Sequence, residues 1–189
     1  MMNEYIQPAS DILTDCFRRG GKLLLCGNGG SAADCAHITG ELAKGFLLRR
    51  PLPDSLKTVI GQPWANDLQQ ALPAIDLTCN NALIAAVAND LGGDNAYAQQ
   101  VMAYGRPGDV LLGISTSGNA ENVCRALITA RAMGMTTIGM TGCGGGRMAQ
   151  LCDLLARAEA SETYLVQEEH LAFYHRLCIS VEEAMFGQA

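Results

Sequence analysis

The chain reads as an α/β protein: a three-layer α/β/α sandwich around a central five-stranded parallel sheet, flavodoxin-like, with an added N-terminal helix. Three observations predict this. Short unbroken apolar runs, KLLLCG at 22–27, VLLGIS at 110–115 and TTIGMT at 136–141, have the composition of strands covered on both faces. Stretches with apolar residues at helical spacing separate them, and such alternation builds a parallel sheet through right-handed crossovers. An apolar strand leading through a small polar turn into a helix also occurs twice, in KLLLCGNGGSA and VLLGISTSGNA.

Taken in order, residues 1–20 form a helical arm, with Ile6, Ile12, Leu13, Cys16 and Phe17 at helical spacing and Gly20-Gly21 ending it. The first strand and its turn lead into a helix from Ser31 to about Leu42. Residues 44–73 form an irregular excursion broken by Pro51, Pro53 and Pro63, with a helical fragment over Trp64–Leu72. PAIDLT is then a strand, followed by helices over Asn81–Leu91 and Ala96–Tyr104. A helix over Asn119–Met133 separates the next two strands. A short helix near Arg147–Cys152, a weaker strand LLARAEA and a last helix over Thr163–Phe186 complete one domain spanning 1–189.

Composition narrows the function classes. With 49% hydrophobic and 17% charged residues, the chain has enough apolar surface to build a core and is not a disordered segment. A net charge of -6 and scattered Lys and Arg give no electrostatic footprint for nucleic acid, so an anion must be caught locally. No basic leader with an apolar core opens the sequence and no apolar run reaches about 20 residues, which predicts a cytoplasmic chain with no membrane partner. The eight cysteines never form C-x-x-C and stand mostly in apolar segments, as reduced, buried thiols do.

In an open parallel sheet, ligands bind beyond the carboxyl ends of the strands, so both polar turns belong to one rim. The turn Ser115, Thr116, Ser117, Gly118, Asn119 brings hydroxyls and free amides to a helix start, where a phosphate docks without Lys or Arg. The alternative is an ordinary Ser/Asn helix cap. The first turn, Asn28, Gly29, Gly30, Ser31, offers close backbone approach and two polar side chains. It lacks the dinucleotide spacing G-x-G-x-x-G, and no Walker lysine follows. His37 and Glu41, four apart, share a helix face and suit acid–base work, metal ligation or a plain surface ion pair.

Together GNGGSAAD with His37 and Glu41, then ISTSGN, MTGCGGGRMA and VQEEH with His175 resemble the SIS (sugar isomerase) domain family, within it the phosphoheptose isomerase branch, over about residues 21–183. The resemblance implies the SIS fold and interconversion of sedoheptulose 7-phosphate with D-glycero-D-manno-heptose 7-phosphate through an enediol. It implies Glu41 as base and His175 as acid or relay. It implies Zn2+ held by His37, Glu41, Gln167 and His175, and a phosphorylated sugar contacted by Asn28, Gly29, Gly30, Ser31, Glu41, Asn89, Asp90, Ser115, Thr116, Ser117, Asn119 and Gln167. It also implies a homo-oligomer, a tetramer with sites shared between subunits. For Asn89 and Asp90, a helix C-cap is the alternative. His170 reads as structural.

Two physical points bear on the ligand set. Residues eight apart on a straight helix are about 12 Å apart along its axis, so Gln167 and His175 reach one ion only by leaning together. A zinc-bound carboxylate is also a poorer base, so Glu41 cannot be ligand and base in one state. The chain departs from the family at Ala120, where a serine is common, at Lys44-Gly45, where Gly-Arg is common, and in the long segment 46–72. Those departures keep two other readings open: a non-catalytic phosphosugar-binding adaptor or regulator, and an isomerase of another phosphosugar.

Overall fold

The computed structural model describes residues 2–187. Five parallel strands, β1 (Leu23–Gly27), β2 (Ala74–Asp76), β3 (Val110–Ile114), β4 (Thr136–Thr141) and β5 (Leu154–Arg157), lie in the order β2-β1-β3-β4-β5. Every residue of β1 and β3 is buried, which is why these strands read as unbroken apolar runs. Their alternation still sorts two cores. Leu23 and Leu25 meet α1 (Ile6–Arg18), α2 (Gly30–Ala43) and α8 (Thr163–Phe186) through Leu13, Ile38, Phe173 and Leu177. Leu24 and Cys26 meet α6 (Ala96–Tyr104) and α7 (Glu121–Ala132) through Tyr97, Val101, Val123 and Leu127. From β1 the chain crosses to β2 on one side, and β3 fills the other side, so the rim between β1 and β3 is the topological switch point.

Most expected elements form, with four adjustments. α7 starts at Glu121 rather than Asn119, because Gly118 turns at φ +66° and the Asn119 side-chain Nδ2 donates to the Ser117 carbonyl at 2.9 Å. The strand LLARAEA stops at Arg157, and beyond it the Glu169 carboxylate takes the amides of Glu159 and Ala160, each at 3.0 Å. The excursion holds α3 (Asp54–Ile60), a helix with no buried residue and hence no apolar stripe to read in the sequence. The expected helix over Trp64–Leu72 stops at Asp67 as α4 (Trp64–Asp67). Gln69 instead bridges Pro51, the Gln70 amide donates to the Arg50 carbonyl, and the Leu72 amide donates to the Leu42 carbonyl. The residue before Pro73 is driven toward extended geometry, which favours this ending. Among the described residues, no helix is long and apolar enough to cross a membrane.

The base of the excursion is locked from below. Arg50 and Glu182 are fully buried, and the guanidinium meets the Glu182 carboxylate through Nε at 2.8 Å and Nη2 at 2.7 Å. Glu182 also accepts from the amides of Phe46, Leu47 and Leu48 at 2.7–2.9 Å, while Arg50 Nη1 donates to the Leu42 carbonyl at 2.8 Å. Burial alone pushes the Glu182 carboxyl up, yet the three amides and Arg50 outweigh it and leave the pKa lowered. One carboxylate on α8 thereby fixes the chain leaving α2.

Glu182→Ala strands the Arg50 charge and three amides, so urea unfolding should show a loss of about 3–5 kcal/mol, with the first proteolytic cuts inside residues 44–72.

Candidate active site

The serine turn after β3 is held open from both sides. Ser115 is buried, Ser117 is exposed, and their hydroxyl oxygens lie 3.5 Å apart on one side of the loop. The N-cap of α7 is Ala120, which makes no side-chain cap, so Ser115, Ser117 and Asn119 are not spent on capping this helix. That removes the helix-cap alternative. The glycine run after β4 is the loop's buttress: Gly142 N–H donates to the Thr116 carbonyl at 2.9 Å, Met148 N–H to the Gly118 carbonyl at 3.1 Å, and Arg147 N–H to Asn119 Oδ1 at 3.0 Å. Contact is backbone to backbone, since a Cβ on Gly118 would lie 2.2 Å from the Gly145 oxygen.

His170 reinforces the same joint. It is fully buried on α8, and its Nε2 lies 3.2 Å from the Thr141 carbonyl oxygen, so Nε2 carries the proton. The peptide unit that accepts from His170 is the one whose N–H donates to Thr116. Burial lowers the His170 pKa, with the Thr141 contact and Glu169 opposing, and Nδ1 is buried without a partner.

The glycine turn after β1 faces this loop across the switch point. Asn28 and Asn122 exchange amide hydrogen bonds, both at 2.9 Å, and tie the two turns together. Tyr97 donates to the Gly27 carbonyl at 2.5 Å and lies 3.2 Å from Asn28 Oδ1. Gly29 turns at φ +56° and caps α2, Gly30 opens the helix, and Ser31 is buried in its first turn. Gln167 of α8 rests on Gly30 so closely that a Cβ there would meet its Nε2 at 2.2 Å.

Farther along the same two helices, a second cluster forms. His37 Nε2 lies 3.2 Å from Glu41 Oε1, and Lys44 Nζ holds Glu41 Oε2 at 3.1 Å. The His175 ring meets the His37 ring edge-on at 5.0 Å between centroids, and the Phe46 ring lies tilted against it at 5.8 Å. Tyr174 places its hydroxyl 2.9 Å from His37 Nδ1. Burial lowers the His175 pKa, His37 adds to the shift and Glu41 opposes it, so His175 is neutral at pH 7. Burial raises the Asp34 pKa, partly offset by the Tyr174 hydroxyl.

The sequence-derived residues therefore fall into two groups. Asn28, Gly29, Gly30, Ser31, Ser115, Thr116, Ser117, Asn119 and Gln167 line the rim, while His37, Glu41 and His175 gather along α2 and α8. Gln167 and His175 are eight residues apart, about 12 Å along the axis. The donor types suit zinc, but among the described residues no three His, Cys, Asp or Glu side chains close on a point that would hold an ion. Asn89 and Asp90 end α5 (Asn81–Asp90), exposed and hydrogen-bonded to each other at 2.7 Å. Cavities of about 310 Å³ beside Met2 and Phe173 and about 370 Å³ beside Gly45–Arg49 lie away from the serine turn. Sequence reasoning missed Tyr97, Tyr174 and Asp34, and left Asn122 without a role. The first three are polar groups inside helical patterns, and nothing in their spacing marks the partners they find across the fold.

Comparison with known proteins follows the geometry. The SIS domain model matches residues 2–70 and 69–142. The chain is 45% identical over 171 residues to a phosphoheptose isomerase of Desulfovibrio desulfuricans, covering 90% of this chain and 72% of that one. It is 42% identical over 180 residues to that of Rhodospirillum rubrum, covering 95% and 86%. A solved phosphoheptose isomerase from Francisella tularensis superposes with a TM-score of 0.80 at 31% identity, over 96% of this chain and 89% of that one.

Because the pKa of His170 is lowered in the fold, the unfolded chain takes up its proton first on acidification. Its contribution to stability is whole above about pH 6.5, the unfolded value, and is lost as pH falls through the folded value. Thermal melts should show a lower Tm at about pH 5.5 than at about pH 7.5, and His170→Gln should shrink that difference.

Proposed function

The chain belongs to the SIS domain family, and from that premise we propose that it is a phosphoheptose isomerase, an intramolecular oxidoreductase that converts sedoheptulose 7-phosphate to D-glycero-D-manno-heptose 7-phosphate. The observation that carries the reading is the pairing of an uncapped, serine-lined helix start with a His37, Glu41, His175 cluster on helices leaving the same rim. Identity of 42–45% to phosphoheptose isomerases over at least 90% of the chain supports the substrate.

In this mechanism the ester phosphate sits on the Ser115–Asn119 turn, taking hydroxyls and the first amides of α7 at the positive end of the helix dipole. That arrangement suits a chain of net charge -6, because the donors act only at contact range. Glu41 removes the proton from the carbon beside the ketone, and His175 passes a proton to the carbonyl oxygen, giving the enediol. Protonated Glu41 then returns its proton to the former carbonyl carbon while His175 takes the proton of the hydroxyl on the neighbouring carbon, which becomes the aldehyde and restores both groups. The depressed His175 pKa keeps it neutral near pH 7, with one nitrogen to donate and one to accept.

Oligomerisation and zinc belong to the same proposal. From Gly30 to His37 is about 10 Å along α2, and rim and cluster share no cavity described above. The apolar helix α5 buries only Val87, leaving Ala82, Ala85, Ala86 and Ala88 exposed. Both facts support a homo-oligomer, a tetramer in our reading, that closes the site between subunits. Zn2+, which supplies Lewis-acid polarisation of a carbonyl, would take His37, Glu41 and His175 after these side chains draw together, with Gln167 arriving from a second subunit. All eight cysteines are free thiols, which supports a cytoplasmic setting.

Purified protein should turn over sedoheptulose 7-phosphate, and Glu41→Gln should cut kcat at least about 100-fold while phosphosugar binding persists. Binding without turnover in the wild type would sink the isomerase reading in favour of a phosphosugar-responsive adaptor, and turnover of a C5 or C6 sugar phosphate alone would move the substrate. The acidic limb of the pH–rate profile should lie below the ordinary imidazole value of about 6.5, because His175 protonates only below it.

A further inference from the structure

Asn122 has no part in the mechanism above, yet its side-chain amide closes a ring with that of Asn28 across the switch point. Each amide gives an N–H to the other's oxygen, at 2.9 Å in both directions. The exchange keeps its form if both amides are turned end for end, so it does not depend on which atom of each side chain is oxygen. A primary amide carries donor and acceptor in one plane, and both meet the partner at once, which leaves the pair little freedom to slide or swing.

The two ends of the ring differ in how they are supported. Asn28 is exposed and stands among Gly27, Gly29 and Gly30, with Gly29 at φ +56°, so its own backbone restrains it weakly. Tyr97 directs its hydroxyl to the Gly27 carbonyl at 2.5 Å and lies farther, 3.2 Å, from the Asn28 amide, so it holds the backbone of the turn more than this side chain. Asn122 is half-buried in the first turn of α7, and the next residue, Val123, is fully buried and packed so tightly on β3 that a Cβ on Gly113 would lie 3.0 Å from its methyl. The restraint therefore runs from the helix to the glycine turn.

We propose that Asn122 is a positioning residue for the ligand: it holds the Asn28 side chain, and with it the glycine turn, at a fixed distance from the serine turn, so that both turns meet one sugar phosphate. This rests on the reading of Asn28 and the Ser115–Asn119 turn as contacts of a single ligand. Asn122 itself touches no part of that ligand and acts through Asn28.

Asn122→Leu keeps the size of the side chain and removes both hydrogen-bonding groups. Without ligand, proton–nitrogen NMR of the full-length wild type should show the two Asn28 side-chain amide protons well separated in shift, and in Asn122→Leu they should draw together. Unchanged Asn28 signals overturn the proposal, whatever the protein turns over. In calorimetric titration with sedoheptulose 7-phosphate, Kd should rise about three- to tenfold, the worth of one hydrogen bond. KM should rise in step and account for most of the loss in kcat/KM. In an Asn28→Ala background the same substitution should cost no further affinity. A loss that persists there marks direct contact between Asn122 and ligand, and a lower Tm with unchanged Kd marks a purely structural tie; either result overturns the proposal. A wild type that binds no sugar phosphate would sink the proposed function and this inference together, whereas wild-type binding that Asn122→Leu leaves intact sinks this inference alone.

Discussion

Residues 30 and 37 of α2 face residues 167 and 175 of α8, so the two helices run side by side in the same direction over one face of the sheet. Nearly equal spacing on both helices keeps them in step, and each contact at the rim is repeated two turns farther on. Gln167 is therefore held at the rim against Gly30, and His175 against His37. The same parallel course brings Glu182, two turns beyond His175, against the chain that leaves α2. The separation of the rim from the acid–base cluster is a property of helix rise, and side-chain rotation cannot remove it.

In the proposed reading, the rim of this acidic protein offers an anion neutral donors rather than cations. Its donors are hydroxyls and amides, and their value depends on staying put. The glycine run after β4 supplies that rigidity by lying against the serine turn at distances a side chain would not tolerate. His170 grips the peptide from the other side. Ala120 makes no side-chain cap, and in the first turn of α7 the Val123 amide turns to Asn122 Oδ1 instead, at 3.0 Å.

The excursion is a contrast in energetics. Its base is densely hydrogen-bonded, with a fully buried ion pair and three amides satisfied by one carboxylate. Its tip carries Leu56, Val59, Trp64 and Leu68 at 48–83% exposure, so little holds α3 and α4 except the chain that carries them. A buried pair such as Arg50–Glu182 is weak evidence of net stability, because desolvation consumes much of its Coulomb energy. Its role is to allow one geometry for residues 42–50, and Lys44 reaches Glu41 from within that segment.

Periodicity and composition determined the layers by themselves: doubly buried strands must be apolar throughout, helices must carry a stripe, and glycine-rich turns must sit where strands end. The strand runs, the two rim turns and the H-x-x-x-E pair were legible for that reason, and the SIS resemblance followed from their order. Element ends were less legible, because Asn119, Gln69 and Glu159 meet Arg147, Pro51 and Glu169, residues well separated from them in the chain. Only the tertiary structure decided that α2 and α8 are parallel, that Gln167 packs on Gly30 while His175 meets His37, and that Tyr174 and Asp34 have polar work to do. Register between two helices depends on which side chains interlock across them, and no local pattern along either helix encodes that match.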